Sequence, residues 1–128
     1  MEIRRFLISD EKKLFDIIKA EGEEWKSYWD KDNIEKYKNA LHNSITYIAT
    51  ENNNICGYVR CREDDGYGVY VYDLLVSRHH RGKSIGRLLM KQVCKDYPDQ
   101  VCYVMSDVDE YYIKQGYKKE GSIFIIKP

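Results

Sequence analysis

The chain has 128 residues, 43% of them hydrophobic and 33% charged, which is enough for one buried core and too few for two. Its 21 Lys and Arg balance 21 Asp and Glu, excluding an overall field that would recruit nucleic acid or an anionic membrane. The longest apolar runs, such as Leu74 to Val76 and Ile123 to Ile126, fall far short of the ~20 residues of a membrane span, and Arg4 and Arg5 followed by Asp10 and Glu11 do not make a secretory leader. The expected location is therefore cytoplasmic, with no membrane and no nucleic-acid partner.

Ile3 to Phe6 predicts a short first strand. Ser9 or Asp10 then supplies a helix N-cap, and Leu14, Phe15, Ile17 and Ile18 share one face of the helix that follows. Gly22 ends it. Glu21 to Asp30, rich in acids and aromatics, leads to a second helix marked by Ile34, Tyr37 and Leu41 at helical spacing. Ser44 to Thr50 and Ile55 to Cys61 are β-rich runs joined by Asn52, Asn53 and Asn54, residues that tolerate the left-handed turn of a hairpin. After a loop at Asp64, Asp65 and Gly66, the run Tyr70 to Val76, broken only by Asp73, predicts a central strand covered on both faces.

From Ser84 the period becomes helical, with Ile85, Leu88, Leu89 and Val93 on one stripe and Arg87, Lys91 and Lys95 on the other. Pro98 closes this region, and Val101 to Met105 predicts another buried strand. Asp107 and Glu110 have the spacing of a capping box for a short helix to about Gln115, with Gly116 as its stop. Lys118 to Ile126 predicts a last strand. The order is β-α-α-β-β-β-α-β-α-β in one domain, residues 1–128.

The cysteines and histidines give no metal pattern. Cys56 and Cys61 lie five apart on one strand, so strict alternation sends them to opposite faces. Cys94 and Cys102 have the look of apolar-face thiols in a reducing compartment. His79 and His80 are adjacent and lack a third ligand at useful spacing, so no metal is expected.

The chemistry concentrates in residues 70–117. A strand, a basic loop and a helix start follow one another, and a helix N-terminus offers unpaired amides and partial positive charge to phosphate oxygens. Arg81, Gly82, Lys83, Ser84, Ile85 and Gly86 occupy that junction: the glycines let the backbone approach a ligand, while Arg81 and Lys83 add charge.

These residues resemble the GNAT family of N-acetyltransferases. Its diphosphate signature is Gln or Arg, two residues, Gly, one residue, then Gly or Ala, and Arg81-Gly82-Lys83-Ser84-Ile85-Gly86 fits it except for Ser84, which stands where the first glycine belongs. Asp73-Leu74-Leu75-Val76 is similar to the family's fourth strand. Tyr111-Tyr112-Ile113-Lys114-Gln115-Gly116-Tyr117 is similar to its aromatic, Tyr, x, Lys, x, Gly, aromatic motif, in the family's order and about 25 residues downstream. The Asn and Ala that often precede that motif are not apparent around Met105 to Val108.

The resemblance implies an α+β fold, a central mixed, mostly antiparallel sheet of about six strands flanked by about four helices. It implies acetyl-CoA as co-substrate and no metal. Its amides from Leu74, Leu75 and Val76 would bind the pantetheine arm and thioester carbonyl, with Arg81 to Gly86, Arg87 and Lys114 on the cofactor side. Tyr112 matches the residue that often protonates the leaving thiolate. The base stays open among Asp73, Glu23 or Glu24, His42 and a water chain. Family members place the acceptor against the region of Glu23, Glu24, Trp25, Tyr28 and Trp29, where acids and aromatics suit a cation. The expected reaction is acetylation of a primary amine on a small cationic molecule. The alternatives are a non-catalytic acyl-CoA sensor and acetylation of a protein or peptide amine, and a homodimer is left open.

Overall fold

A computed structural model describes all 128 residues. The elements are β1 (Glu2–Arg5), a 3-10 turn at Ile8–Asp10, α1 (Glu11–Ala20), a 3-10 turn at Gly22–Trp25, and α2 (Lys26–Trp29). They continue with α3 (Ile34–His42), β2 (Ile45–Glu51), β3 (Asn54–Glu63), β4 (Val69–Val76) and a 3-10 turn at Arg78–His80. The last are α4 (Ile85–Asp96), β5 (Cys102–Val104) and α5 (Asp109–Lys114). No helix is long and apolar enough to cross a membrane.

The five strands lie in the order β1-β2-β3-β4-β5, antiparallel except for the parallel β4–β5 pair. Two cores flank the sheet. On one face α4 packs Ile85, Leu89, Met90 and Val93 against Val59, Val69 and Val71. On the other, Leu14, Phe15 and Ile18 of α1 and Tyr37 and Leu41 of α3 cover Ile48, Tyr58 and Leu75. Burying a side chain of this size contributes about 1.5–3 kcal/mol, so these two stripes hold the helices to the sheet.

The asparagine turn forms as read, with Asn52 at φ 53° and Asn53 at φ 66°, both left-handed. Other expectations are corrected. The expected sixth strand at Lys118 to Ile126 is absent, and Ile123, Phe124, Ile125 and Ile126 are 64–90% exposed. A strand needs a ladder partner, and β5 offers an edge of only three residues. For the same reason β5 is half-buried where a buried strand was expected. Asp107 and Glu110 form no capping box: α5 starts at Asp109, and Ser106 Oγ accepts the Val108 N–H instead. The carboxylate of Asp10 does not cap α1; it accepts both Arg4 nitrogens at 2.9 Å and the Leu7 N–H at 2.7 Å.

Two bulges break the alternation. Pairing runs Ala49↔Gly57 and then Thr50↔Ile55, leaving Cys56 as an extra residue on β3. It also runs Arg60↔Asp73 and then Cys61↔Val71, leaving Tyr72 extra on β4. Each inserted residue reverses the parity of its strand. Cys56 and Cys61 therefore both reach the α4 core, contrary to the opposite faces expected from their spacing. Cys94 is an exposed free thiol, not an apolar-face one. Leu88 is exposed as well, its expected place on the α4 stripe being taken by Met90. Nor is β4 covered throughout, since Tyr70 and Tyr72 remain exposed on the α3 side.

Candidate active site

The site begins where two parallel strands part. β4 and β5 pair only over Val69↔Cys102, Tyr70↔Tyr103 and Val71↔Val104, and the last link is Met105 N–H to the Val71 carbonyl at 3.2 Å. The bulge at Tyr72 follows at once and bends β4 away. On the β3 side Ser77 N–H bonds the Cys56 carbonyl at 2.9 Å. Antiparallel alternation then puts Leu75 and Asp73 in hydrogen-bonded pairs and turns the Leu74 and Val76 backbone toward the gap. The Val76 carbonyl is indeed taken there by Arg81 Nε at 3.0 Å. Of the three expected backbone donors, Leu74 and Val76 face the gap and Leu75 does not.

The loop after β4 enters α4 through two left-handed residues, Gly82 at φ 81° and Ser84 at φ 62°. Ser84 makes no side-chain cap bond, contrary to the capping role its residue type suggests. The first internal donor of α4 is Leu88 N–H, to the Ser84 carbonyl at 3.0 Å, so the amides of Ile85, Gly86 and Arg87 have no partner within the helix. Gly86 is buried at this end, where an added Cβ would stand 2.5 Å from the Tyr111 hydroxyl and 3.6 Å from Val76 Cγ2. Lys83, Arg87 and Ser84 are exposed around it. Free amides, two nearby cations and a glycine-bare surface suit the diphosphate of a nucleotide coenzyme.

The tyrosine motif lies on α5 and divides its labour in a way the sequence did not foretell. Tyr111, not Tyr112, brings its hydroxyl against Gly86. Tyr112 is half-buried, edge-on to Tyr111 at 5.0 Å and tilted to Tyr117 at 6.4 Å. Burial, helped by Tyr111, Asp107 and Tyr117, pushes its hydroxyl up to about 12. Lys114 is on the exposed last turn, lining a groove of about 620 Å³ with Tyr111 and Gln115.

Asp73 is buried on the α3 side of β4. Its Oδ2 accepts Tyr37 OH at 2.6 Å and Arg60 Nε at 2.6 Å, and Tyr58 OH lies 2.6 Å from Tyr37 OH. Arg60 also donates to Ser44 Oγ at 3.1 Å and stands over the rings of Tyr37 and Tyr72. Burial first, and the Asp73 charge after it, drives the Tyr37 hydroxyl far above its ordinary range and raises Tyr28 to about 12. The sequence reading missed Tyr37, Tyr58 and Arg60 as members of this cluster. The available signal was an arginine in one apolar strand and an aspartate in the next, since opposite charges pair across neighbouring strands.

The arm from Gly22 to Trp29 lies against this cluster. Trp25 meets Tyr28 at 5.3 Å and Tyr58 at 6.5 Å, and Tyr28 meets Tyr37 at 4.5 Å. Trp29 Nε1 donates to the Gly22 carbonyl at 3.2 Å. The aromatics thus pack down toward the sheet while Glu23 and Glu24 stay exposed. His42, a base candidate, is committed elsewhere: its Nε2 lies 2.5 Å from Glu11 Oε2 and its ring packs on Phe6.

A model of the GNAT family of acetyltransferases matches residues 11–117, the stretch from the start of α1 to the end of the tyrosine motif. The chain belongs to the GNAT family. It is 26% identical over 102 residues to the N-acetyltransferase ycf52 of Porphyra purpurea and 24% identical to that of Pyropia yezoensis. In both cases the match covers 72% of this chain and 59% of the relative, so the chain spans well under two thirds of those proteins. Among solved structures, a GNAT-family acetyltransferase of Streptococcus pneumoniae TIGR4 superposes with a TM-score of 0.72 at 23% identity, covering 99% of this chain and 98% of that one. An aminoglycoside acetyltransferase from an uncultured soil metagenomic sample gives 0.74 at 18%, covering 99% and 97%. A ribosomal-protein-alanine N-acetyltransferase of Brucella melitensis biovar Abortus 2308 gives 0.76 at 16%, covering 98% and 97%. At these identities the structures show the shared GNAT fold.

Proposed function

We propose that this chain transfers the acetyl group of acetyl-CoA to a primary amine of a small cationic molecule. One observation carries the reading: the Leu74 and Val76 N–H groups that face the β4–β5 gap adjoin the unpartnered amides that open α4. The family relation supports acetyl transfer, and the aminoglycoside in the name of one fold neighbour is a small cationic amine.

In this reading the α4 amides hold the diphosphate, with Lys83 and Arg87 adding charge. The Leu74 and Val76 N–H groups grip the pantetheine arm and the thioester carbonyl, whose oxygen gains negative charge as the amine attacks. A C–N bond forms, the C–S bond breaks, and the sulfur leaves with the electron pair. Tyr112, with its hydroxyl raised to about 12, stays protonated at neutral pH and donates a hydrogen bond to that sulfur. A thiol of ordinary acidity, near 8–9, needs little more than this, so solvent completes the proton transfer. Glu23 and Glu24 draw the cationic acceptor to the arm. Asp73 Oδ2 is already taken by Arg60 and Tyr37, so the amine loses its proton to one of these exposed acids or to water.

Titration calorimetry with CoA and acetyl-CoA, followed by thiol release with polyamines, aminoglycosides and peptides, tests this. Heat with both thiols and turnover with a cationic amine is the expected result. No heat at millimolar CoA removes the reading, and heat without turnover on any amine makes the protein a sensor.

A further inference from the structure

Glu21 closes α1, next to its C-terminal carbonyls, where a carboxylate is unfavourable, yet its side chain is only 7% exposed. A buried acid in that position requires a cation. Arg81 supplies one, its Nη2 2.8 Å from Glu21 Oε1, and Arg78 Nε stands 3.8 Å from the same oxygen. The Arg81 guanidinium also holds the Val76 carbonyl through Nε. One planar group therefore joins the end of α1, the end of β4 and the loop that enters α4. Two of its five N–H donors are used in this way, leaving three for a phosphate.

The contacts continue past Glu21. The next residue, Gly22, has φ 78° and starts the aromatic arm, and its carbonyl receives Trp29 Nε1 at 3.2 Å. The path from the loop runs Arg81, Glu21, Gly22, Trp29, each step a peptide bond or a direct hydrogen bond.

We propose that Glu21 is a positioning residue that ties the diphosphate loop to the acceptor arm, so that binding of the nucleotide coenzyme is felt at Trp29. The proposal rests on the acetyltransferase reading. When a diphosphate reaches the free N–H groups of Arg81, Glu21 shares its cation with a new anion, and the hydrogen-bonded arm adjusts. The acceptor wall is thereby set by the state of the coenzyme site.

The chain has two tryptophans, Trp25 and Trp29, both on the arm, so indole emission reports the arm alone. Calorimetry and emission are measured together as CoA is added. The wild type binds CoA with a change in emission. Glu21→Gln, which frees Arg81 from its competing anion, still binds CoA but loses the emission change. Arg81→Lys, which keeps the charge without the fork, binds CoA and also loses the change, so the test does not depend on one variant folding. Arg78→Ala, lacking the longer contact, keeps it. A wild-type-like emission response in Glu21→Gln, or wild-type binding of CoA with no response at all, overturns the proposal while leaving the acetyltransferase reading intact. Absence of heat with the wild type removes both.

Discussion

Arg60 Nε donates to Asp73 Oδ2 across 2.6 Å, with the arginine side chain 13% exposed and the aspartate 3%. The pair joins β3 to β4 beside the bulge, Asp73 being the residue after Tyr72. Removing one partner of a buried ion pair strands the other, at a cost of about 3–5 kcal/mol. Asp73→Asn is expected to lose that much in urea unfolding, whereas Tyr37→Phe, which removes one hydroxyl, loses about 1 kcal/mol. If both variants cost the same small amount, the cluster is not a structural clasp, and the case for Asp73 as a base is reopened.

Tyr112→Phe should retain CoA binding and lower turnover roughly 10- to 10²-fold, the scale of one lost hydrogen bond to a developing charge. Tyr111→Phe removes the hydroxyl that meets Gly86. It is the informative comparison: if the turnover loss falls on Tyr111 and not Tyr112, the leaving-group role moves one residue along α5.

Ser84 holds φ 62° with no side-chain hydrogen bond to offset it. A left-handed conformation costs a non-glycine residue about 1 kcal/mol. Ser84→Gly is expected to raise the stability in urea or leave it level, and not to lower it, since the loss of strain competes with the greater freedom of unfolded glycine. The same change should tighten CoA binding. Weaker binding in calorimetry would mean that the serine hydroxyl contacts the ligand.

Glu23→Gln combined with Glu24→Gln should raise the KM for a cationic acceptor several-fold and leave the KM for acetyl-CoA unchanged. Both acids are exposed, so their field is screened, and the effect should shrink as salt is added. A change confined to acetyl-CoA would place the acceptor elsewhere.

Alkaline stability follows from burial. The hydroxyls of Tyr28 and Tyr112 are pushed up to about 12 and the Cys61 thiol to about 11, in each case chiefly by desolvation. In the unfolded chain these groups ionise near 10 and 9, ahead of the folded protein. Their contribution is full below about pH 9 and is lost as pH rises from there toward 12, because the unfolded state sheds its protons first. The melting temperature, followed with phenolate absorbance, should fall steeply above about pH 10. A flat profile to about pH 11 contradicts the burial of these groups.

Local chemistry was legible in the sequence. Three consecutive asparagines announced the hairpin because few other residues accept left-handed backbone, and the turn forms at Asn52 and Asn53. The start of α4 was readable because diphosphate binding needs glycine and charge in sequence order, and Gly82, Ser84 and Gly86 sit at that entry. What depends on partners distant in the chain was not legible. Asp73 looked like an unpaired acid because Arg60 and Tyr37 reach it only across strands and layers. The closing strand was predicted from the β-propensity of Ile123 to Ile126, but propensity supplies no neighbour to pair with. Glu21 stands out in the sequence only as the first of the acids and aromatics from Glu21 to Asp30, because its burial against Arg81 arises only once the two ends meet.

Tyr72 is a spare link in β4: Val69 and Val71 serve the α4 core before it, and Leu74 and Val76 serve the same core after it. Deleting this one tyrosine would mend the ladder and make the strand look healthier. It would leave Val69, Val71, Leu74 and Val76 on the α4 face by simple alternation, and it would close the wedge in which Leu74 and Val76 stand open. The flaw in the weave is the seam through which a thioester would enter.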